Sequence, residues 1–409
     1  MSLEGEFSDA SPALAIHGGE KTRPHPMPTR GALSDEEESL IAEVIAYYRD
    51  KPTDPGYQGV FEERYCNMFC DLLGGGWADS VATGTASLYV ALQALELPKG
   101  SEVIVSPITD PGSMSAIILN GLSPALADAN PGSYNISSDS VRAQITDRTS
   151  AIMVVHAAGQ AADISGIMDL ARAHNLRVIE DCSQAHGATS NETPLGTFGD
   201  VACFSTMYRK AHMTGGCGGV VYSRNRDLYH KALAYADRGK PRWLDDFDDR
   251  DPRGYLFPAL NLHNDEISCA IGISSLRRLD QTISNRLDFV FRLTALLKER
   301  SRMCRVFEFS NADSPFFIPV QFDQSSATCT KTEFAEAVRA EGIDLNPHYQ
   351  YLAADWPWLQ PYAMGDLDCR NARAVLDTSF NIFVNENYSE KDALSVAEAI
   401  EKVERHYKR

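Results

Sequence analysis

The chain has 409 residues, of which 44% are hydrophobic and 23% charged, enough apolar content to build one large domain and a smaller one. A formal net charge of −18 repels polyanions at long range and argues against nucleic acid or an anionic membrane surface as a partner. No apolar run reaches the roughly 18–20 residues of a bilayer span, and "MSLEGEFSDASPALAIHGG" lacks the basic start and apolar core of a secretory signal, so a cytoplasmic location is expected.

The first fifty-odd residues are rich in Pro and Gly around one helical stretch, "SDEEESLIAEVIAYYRD", which Ser34 caps with acids in its first turn. From about residue 56 strands and helices alternate. "VFEERYCNMFCDLL" reads as a helix, "ADSVAT" as a strand and "TASLYVALQAL" as a helix. "EVIVSP" is a strand, "SMSAIILNG" helical and "SPALAD" extended. "AIMVVHAAG" is a β-branched strand, "ISGIMDLARAHN" a helix, and "LRVIED" and "DVACFS" are strands. This alternation predicts βαβ units and a mostly parallel, buried sheet.

Beyond the strands, "RGKPRWLDDFDDRDPRGY" is too polar for the sheet and reads as a long exposed loop. The stretch "EISCAIGISSLRRLDQTISNRLDFVFRLTALLKER" predicts one long helix leading into a second domain. There "FFIPVQF" alternates like a strand, "TKTEFAEAVRAEG" opens with a Thr330/Glu333 capping pattern and stops at Gly342, and Val396, Ile400 and Val403 share one face of the last helix. The nine cysteines are scattered, with no C-x-x-C pair. They read as reduced thiols, and no metal is expected.

Ligands of parallel sheets collect beyond the carboxyl ends of the strands, so those ends carry the functional argument. After "DSVA" comes "TGTAS" and a helix, whose free N–H groups suit an anion. After "RVI" comes "EDCSQAHGA", whose Asp181 is an acid placed where a buried strand meets the cleft, costly unless paired. After "VACF" comes Ser205 and, five residues on, Lys210, followed by "GGCGG". A lysine in a partly desolvated cleft has a lowered pKa and acts as a nucleophile. Taken singly, these are equally a helix cap, a salt-bridge partner and a solvated lysine. The glycines follow the lysine, so neither nucleotide-binding glycine motif fits. Taken together, an anion cradle (Gly84, Thr85, Ala86, Ser205), an acid (Asp181) and an amine (Lys210) fit pyridoxal 5′-phosphate. The phosphate would take the cradle, the acid the pyridine nitrogen and the lysine a covalent Schiff base.

These residues, with "SEVIVSP", "VVHAAGQAADISGI", "VIEDCSQAHGA", "ALNLHNDEISCAIGISSLRRLD" and "GIDLNPHYQYL" in order along nearly the whole chain, resemble the DegT-type sugar aminotransferases. The opening "LAIHGGEKTRPHPMP" is similar to members acting on keto-cyclitols and amino sugars. The resemblance implies an α/β, fold type I pyridoxal-phosphate enzyme with a mostly parallel seven-stranded sheet in a large domain (residues 56–285), an N-terminal segment (1–55) and a smaller C-terminal α+β domain (286–409). It implies a homodimer in which Asn261 reaches the neighbouring subunit's phosphate, Gln184 beside the cofactor ring, and a small-domain motif at His348 and Tyr349. The implied reaction moves an amino group from glutamate or glutamine to a keto-sugar or keto-cyclitol, with Lys210 carrying the proton and Asp181 keeping the ring an electron sink.

Three positions depart from the family pattern. Asp110 stands where an aromatic residue usually stacks on the cofactor and is read as a substrate contact. His263 replaces an Arg that often serves a carboxylate, and Cys217 replaces an acid in the Gly-rich turn. His212 is read as a substrate contact or a turn residue, His186 as a packed histidine, and Arg238 with Lys240 and Arg242 as a cationic patch for an anionic substrate or a solvated loop. Two other readings stay open: a sugar dehydratase of the same fold, a branch in which the lysine is typically a histidine, and a non-catalytic cofactor-binding regulator.

Overall fold

The computed structural model describes residues 13–348 and 351–409. Short runs form the strands of the first sheet: β1 (Trp77–Val81), β2 (Glu102–Val105), β3 (Ser123–Leu126), β4 (Thr149–Val155), β5 (Arg177–Asp181) and β8 (Val201–Ser205), all expected from the sequence, and β9 (Gly219–Ser223), with a small hairpin of β6 (Thr189–Ser190) and β7 (Thr193–Pro194) between β5 and β8 in the chain. The seven-stranded order is β1-β9-β8-β5-β4-β2-β3. Strands β8, β5, β4, β2 and β3 run parallel, whereas β9 pairs antiparallel with both β8 and β1. The sequence reading did not register β9, "GVVYS", as a strand. It lies directly behind the glycine block and returns the chain alongside β8.

Helices cover both faces of this sheet. They are α1 (Asp35–Arg49), α2 (Val60–Leu72), α3 (Gly84–Ala94), α4 (Pro111–Leu119), α5 (Ser138–Arg142), α6 (Ile164–His174), α7 (Arg226–Ala236) and α8 (Glu266–Arg277). One apolar core joins α3 and α4 to one sheet face through Leu88, Val90, Met114 and Ile117; a second joins α2, α6 and α8 to the other through Phe69, Ile167 and Ile273. A capping box at Ser34, formed with Glu37, starts α1 as expected.

The expected single long helix is two. Arg278 has φ −107° and ψ 8°, outside helical geometry, and separates α8 from α9 (Leu279–Arg300). The boundary read at 285/286 falls inside α9. The second sheet has four strands, β10 (Cys304–Val306), β11 (Phe317–Phe322), β12 (Leu345–Asn346) and β13 (Ser379–Phe383), in the order β10-β11-β13-β12. It packs with α9, α10 (Lys331–Ala340) and α12 (Glu390–Tyr407), while α11 (Arg370–Asp377) joins the first core. Thr330 and Glu333 form the expected capping box, and Val396, Ile400 and Val403 are fully buried. Leu14 and Met27 join the core of this second sheet, whereas Leu40 and Val44 of α1 join a core of the first, so the described part of the N-terminal segment is shared between the two.

Candidate active site

Every strand end singled out from the sequence opens into one cavity of about 210 Å³. Its walls carry Gly84, Thr85, Asp181, Gln184, Ser205 and Lys210. At one end, Thr83 caps α3 by accepting the Ala86 N–H at 3.0 Å. That bond occupies the Ala86 donor, and the N–H groups of Gly84 and Thr85, in the first turn, have no intrahelical acceptor. Glycine is required at 84 because a Cβ there would lie 2.5 Å from the Ser205 Cβ. The helix start and the end of β8 therefore meet, and the Ser205 side chain stands beside the α3 N-terminus, which favours an anion.

Asp181, at the end of β5, is 5% exposed. Its carboxylate accepts Ser113 Oγ at 3.2 Å and the Ser183 N–H at 3.1 Å. Ser183 Oγ accepts the Ser205 N–H at 3.0 Å, tying the ends of β5 and β8 together. Gln184 accepts the Ala158 N–H at 2.8 Å through Oε1.

The amine comes from a tight turn. The Lys210 N–H donates to Met207 O at 2.9 Å, and Thr206 exchanges backbone bonds with Gly218 and Thr214 to close the loop below it. The glycine block serves this closure: Gly218 has φ +147°, and a Cβ there would sit 1.9 Å from Thr214 Oγ1. The Lys210 side chain is 8% exposed, and its Nζ lies 4.1 Å from the centroid of the Phe316 ring. Burial pulls its pKa down from 10.5 to about 8, against the opposing pull of Asp181 and Asp110. Phe316 reaches the site because Ser314 and Phe316 bond to the backbone of Gly159 and Ala158, docking the approach to β11 on the loop after β4.

Asp110 caps α4, accepting the Gly112 N–H at 2.8 Å, and lines this cavity. It does so without an aromatic ring; the apolar lining comes from Leu88, Val155 and Met207. Cys217 also lines the cavity. Asp110, Gln184, Met207 and Lys210 are shared with a larger adjoining cavity of about 850 Å³, whose walls include Arg30, Arg209, Asp344, Asn346 and Tyr351.

Several residues read as substrate contacts are not brought to these cavities. His212 is fully buried, with Tyr65 Oη 2.7 Å from Nε2 and Ser275 Oγ 3.1 Å from Nδ1; burial, with Arg30 and Arg278 nearby, lowers its pKa to about 3. It is a neutral core histidine, because the turn that points Lys210 outward points His212 inward. His263 stacks on Tyr57 with ring centroids 3.9 Å apart, and its Nε2 lies 3.2 Å from Asp237 Oδ2. Arg238 is committed to Asp237 and to Tyr57 Oη, and Lys240 and Arg242 pair with Asp249. The reading of a free cationic patch gives way to a network around the buried Asp237. His348 pairs with Glu336 at the edge of a separate recess. Tyr349 lies outside the described residues. Asn261 is exposed, bridges to Asp237 and lies away from both cavities of its own chain.

Sequence reasoning missed Ser183, Ser113, Phe316 and Arg30. Ser113 and Ser183 follow strand ends and obey the same positional rule that found Asp181. Phe316 and Arg30 arrive from distant segments and carry no local signal.

The donor set matches pyridoxal 5′-phosphate in its chemistry. A helix N-terminus with hydroxyls suits a phosphate, a buried carboxylate suits a ring nitrogen, and a desolvated amine suits an aldehyde. The comparisons agree. A model of the DegT/DnrJ/EryC1/StrS aminotransferase family matches residues 37–401. A putative L-glutamine:3-amino-2,3-dideoxy-scyllo-inosose aminotransferase of Streptoalloteichus tenebrarius is 30% identical over 373 residues, covering 85% of each chain. The GDP-perosamine synthase of Vibrio cholerae is 34% identical over 235 residues, a match spanning 56% of this chain and 61% of that protein. Among solved structures, the aminotransferase from Psychrobacter cryohalolentis superposes with a TM-score of 0.84 at 25% identity, over 93% of this chain and 99% of that one. A GDP-4-keto-6-deoxymannose-3-dehydratase shares the fold, with a TM-score of 0.82 at 21% identity over 92% of this chain and 100% of that one. With its strand-end residues gathered at one cavity and a family match running through both sheets, the chain belongs to the DegT/DnrJ/EryC1/StrS aminotransferase family.

Proposed function

We propose that the protein is a pyridoxal-phosphate-dependent aminotransferase that takes the amino group of L-glutamine and delivers it to a keto-cyclitol or keto-sugar. The observation that carries this reading is the convergence of Lys210, Asp181 and the α3 N-terminus on one small cavity that opens into a large one. The choice of glutamine rests on relatives whose names specify that donor, including the L-glutamine:2-deoxy-scyllo-inosose aminotransferase of Streptomyces fradiae, 35% identical over 217 residues that span 53% of this chain and 51% of that protein.

In this reading Gly84, Thr85 and Ser205 hold the phosphate, and Asp181 holds a proton on the ring nitrogen. Ser113 and the Ser183 N–H fix the Asp181 carboxylate in place. Lys210 is the covalent anchor. The bound cofactor supplies an aldehyde for amines and a ring that takes up the electron pair of a broken C–H bond. With its amine free, Lys210 would accept the proton from the donor α-carbon; a pKa near 8 suits an amine that gives and takes protons close to neutral pH. Phe316 covers that amine and keeps water from it. Asp110 faces the larger cavity, where its free oxygen accepts a hydrogen bond from a substrate hydroxyl. The working unit is a homodimer in which the exposed Asn261 completes the partner's phosphate site.

Lys210 itself counts against the dehydratase reading, since that branch typically has histidine there. The test is a visible absorption spectrum of cofactor-loaded protein, repeated with L-glutamine and with L-glutamate, then with scyllo-inosose and with a nucleotide-linked 4-keto sugar. Bleaching by glutamine and recovery with one of the acceptors supports the proposal. A deoxygenated product without amine transfer, or a spectrum indifferent to every amine, refutes it in favour of the dehydratase or the regulator.

A further inference from the structure

The turn that carries Lys210 is gripped from outside the large sheet. Arg30, in the N-terminal segment, donates to Tyr208 O at 2.6 Å and to Ala211 O at 3.0 Å, the carbonyls on either side of the lysine. Its Nε donates to Glu386 Oε1 at 2.7 Å. The other Glu386 oxygen accepts from Arg286 Nη2 at 2.8 Å, and Arg286, 1% exposed, donates to Pro315 O at 3.2 Å. Pro315 immediately precedes Phe316, whose ring covers the Lys210 amine. The neighbours of Glu386 hold the same segment: Asn385 donates to Pro28 O at 2.9 Å, and Asn387 to Thr29 O at 3.0 Å and Arg30 O at 2.6 Å.

We propose that Glu386 is a positioning residue for Lys210, acting through two arms: Arg30 sets the backbone of the lysine turn, and Arg286 sets the Phe316 ring above the amine. The inference rests on the reading of Lys210 as the reacting amine. Three elements far apart in sequence converge here, although none of them lines the smaller cavity with a reacting group. The side chains of Arg30 and Glu386 are each 14% exposed, so the ion pair is held largely out of water, where geometry is specified tightly. Burial pushes the Glu386 carboxyl up, but Arg286 and Arg30 outweigh it and hold it below the usual carboxylate range. The node therefore stays charged near neutral pH. The charged groups acting on Lys210 itself are Asp181 and Asp110, with His186 also in its field but held neutral by burial, and the clamp leaves all three in place.

The experiment uses Glu386→Gln, Arg30→Ala and Arg30→Lys. The cofactor-free protein is reductively methylated with formaldehyde and a borane across a pH series, and Lys210 labelling is followed by peptide mass spectrometry. Chemical unfolding of each variant identifies any that fails to fold. The proposal expects the Lys210 labelling midpoint in Glu386→Gln and Arg30→Ala to move up from about 8 towards an ordinary lysine, so that labelling near pH 8 slows because less of the amine is neutral there. It expects kcat of the loaded enzyme to fall at least about tenfold with the KM for glutamine within about twofold, as displacement of a reacting group predicts. Arg30→Lys, which keeps the charge but not the fork, falls between. Unchanged labelling and an unchanged kcat in folded variants overturn the clamp. If the labelling shifts but wild-type protein never forms a cofactor absorption band with Lys210, the clamp stands and the functional reading falls.

Discussion

Replacing Lys210 by Met should make the cofactor-free protein more stable, and the gain should depend on pH in a defined way. Burial lowers the lysine pKa from 10.5 to about 8, so the native state holds the charged amine about 3 kcal/mol less favourably than the unfolded chain does. Between those two pH values the unfolded state binds more protons than the native one. Stability of the wild type therefore rises with pH across that window, and the penalty is complete below pH 8. Methionine keeps an unbranched side chain of similar length and carries no charge. Unfolding of stripped protein in urea should show Lys210→Met more stable by up to about 3 kcal/mol near pH 7, and by under about 1 kcal/mol near pH 10. A variant no more stable than wild type near pH 7, or a difference that does not change with pH, would refute the claim that the amine sits desolvated in its turn.

Three further outcomes follow from the same geometry. Gly84→Ala puts a Cβ 2.5 Å from the Ser205 Cβ; forcing the α3 start off β8 should cost about 1–3 kcal/mol of cofactor affinity, read by equilibrium titration with pyridoxal phosphate. If Asp181 holds the ring proton as proposed, Asp181→Asn, which puts a neutral amide there, should lower kcat by about 10² or more while the cofactor still binds, measured by steady-state kinetics. Asp237→Asn removes the buried carboxylate that Arg238 and Arg242 share and should destabilise the protein by about 1–3 kcal/mol in chemical unfolding, a modest loss because both guanidiniums are partly solvated and Arg242 keeps Asp249.

How far the sequence carries the account depends on the range of the interactions involved. The β-branched runs and capped helices were legible because each element follows its own local pattern, and the positional rule for parallel sheets then singled out Gly84, Asp181, Ser205 and Lys210. The antiparallel β9 escaped because a short apolar run behind glycines reads as part of a loop until its pairing with β1 and β8 is known. The break at Arg278 escaped because both flanking helices are strong helix formers. His212 shows the limit of proximity in sequence: two residues from Lys210, it faces the opposite way into the core. Arg30, Glu386 and Phe316 are set by contacts across more than a hundred residues, which no local pattern reports.

The central claim is that Lys210 carries the cofactor, and the most direct measurement is to load the protein with pyridoxal phosphate, reduce it with borohydride and map the labelled peptide. The account predicts a single label on Lys210, lost in Lys210→Met. Two other lysines are also buried, Lys240 and Lys331, at 4% and 9% exposure; a label on either of them, or no label at all, would contradict it.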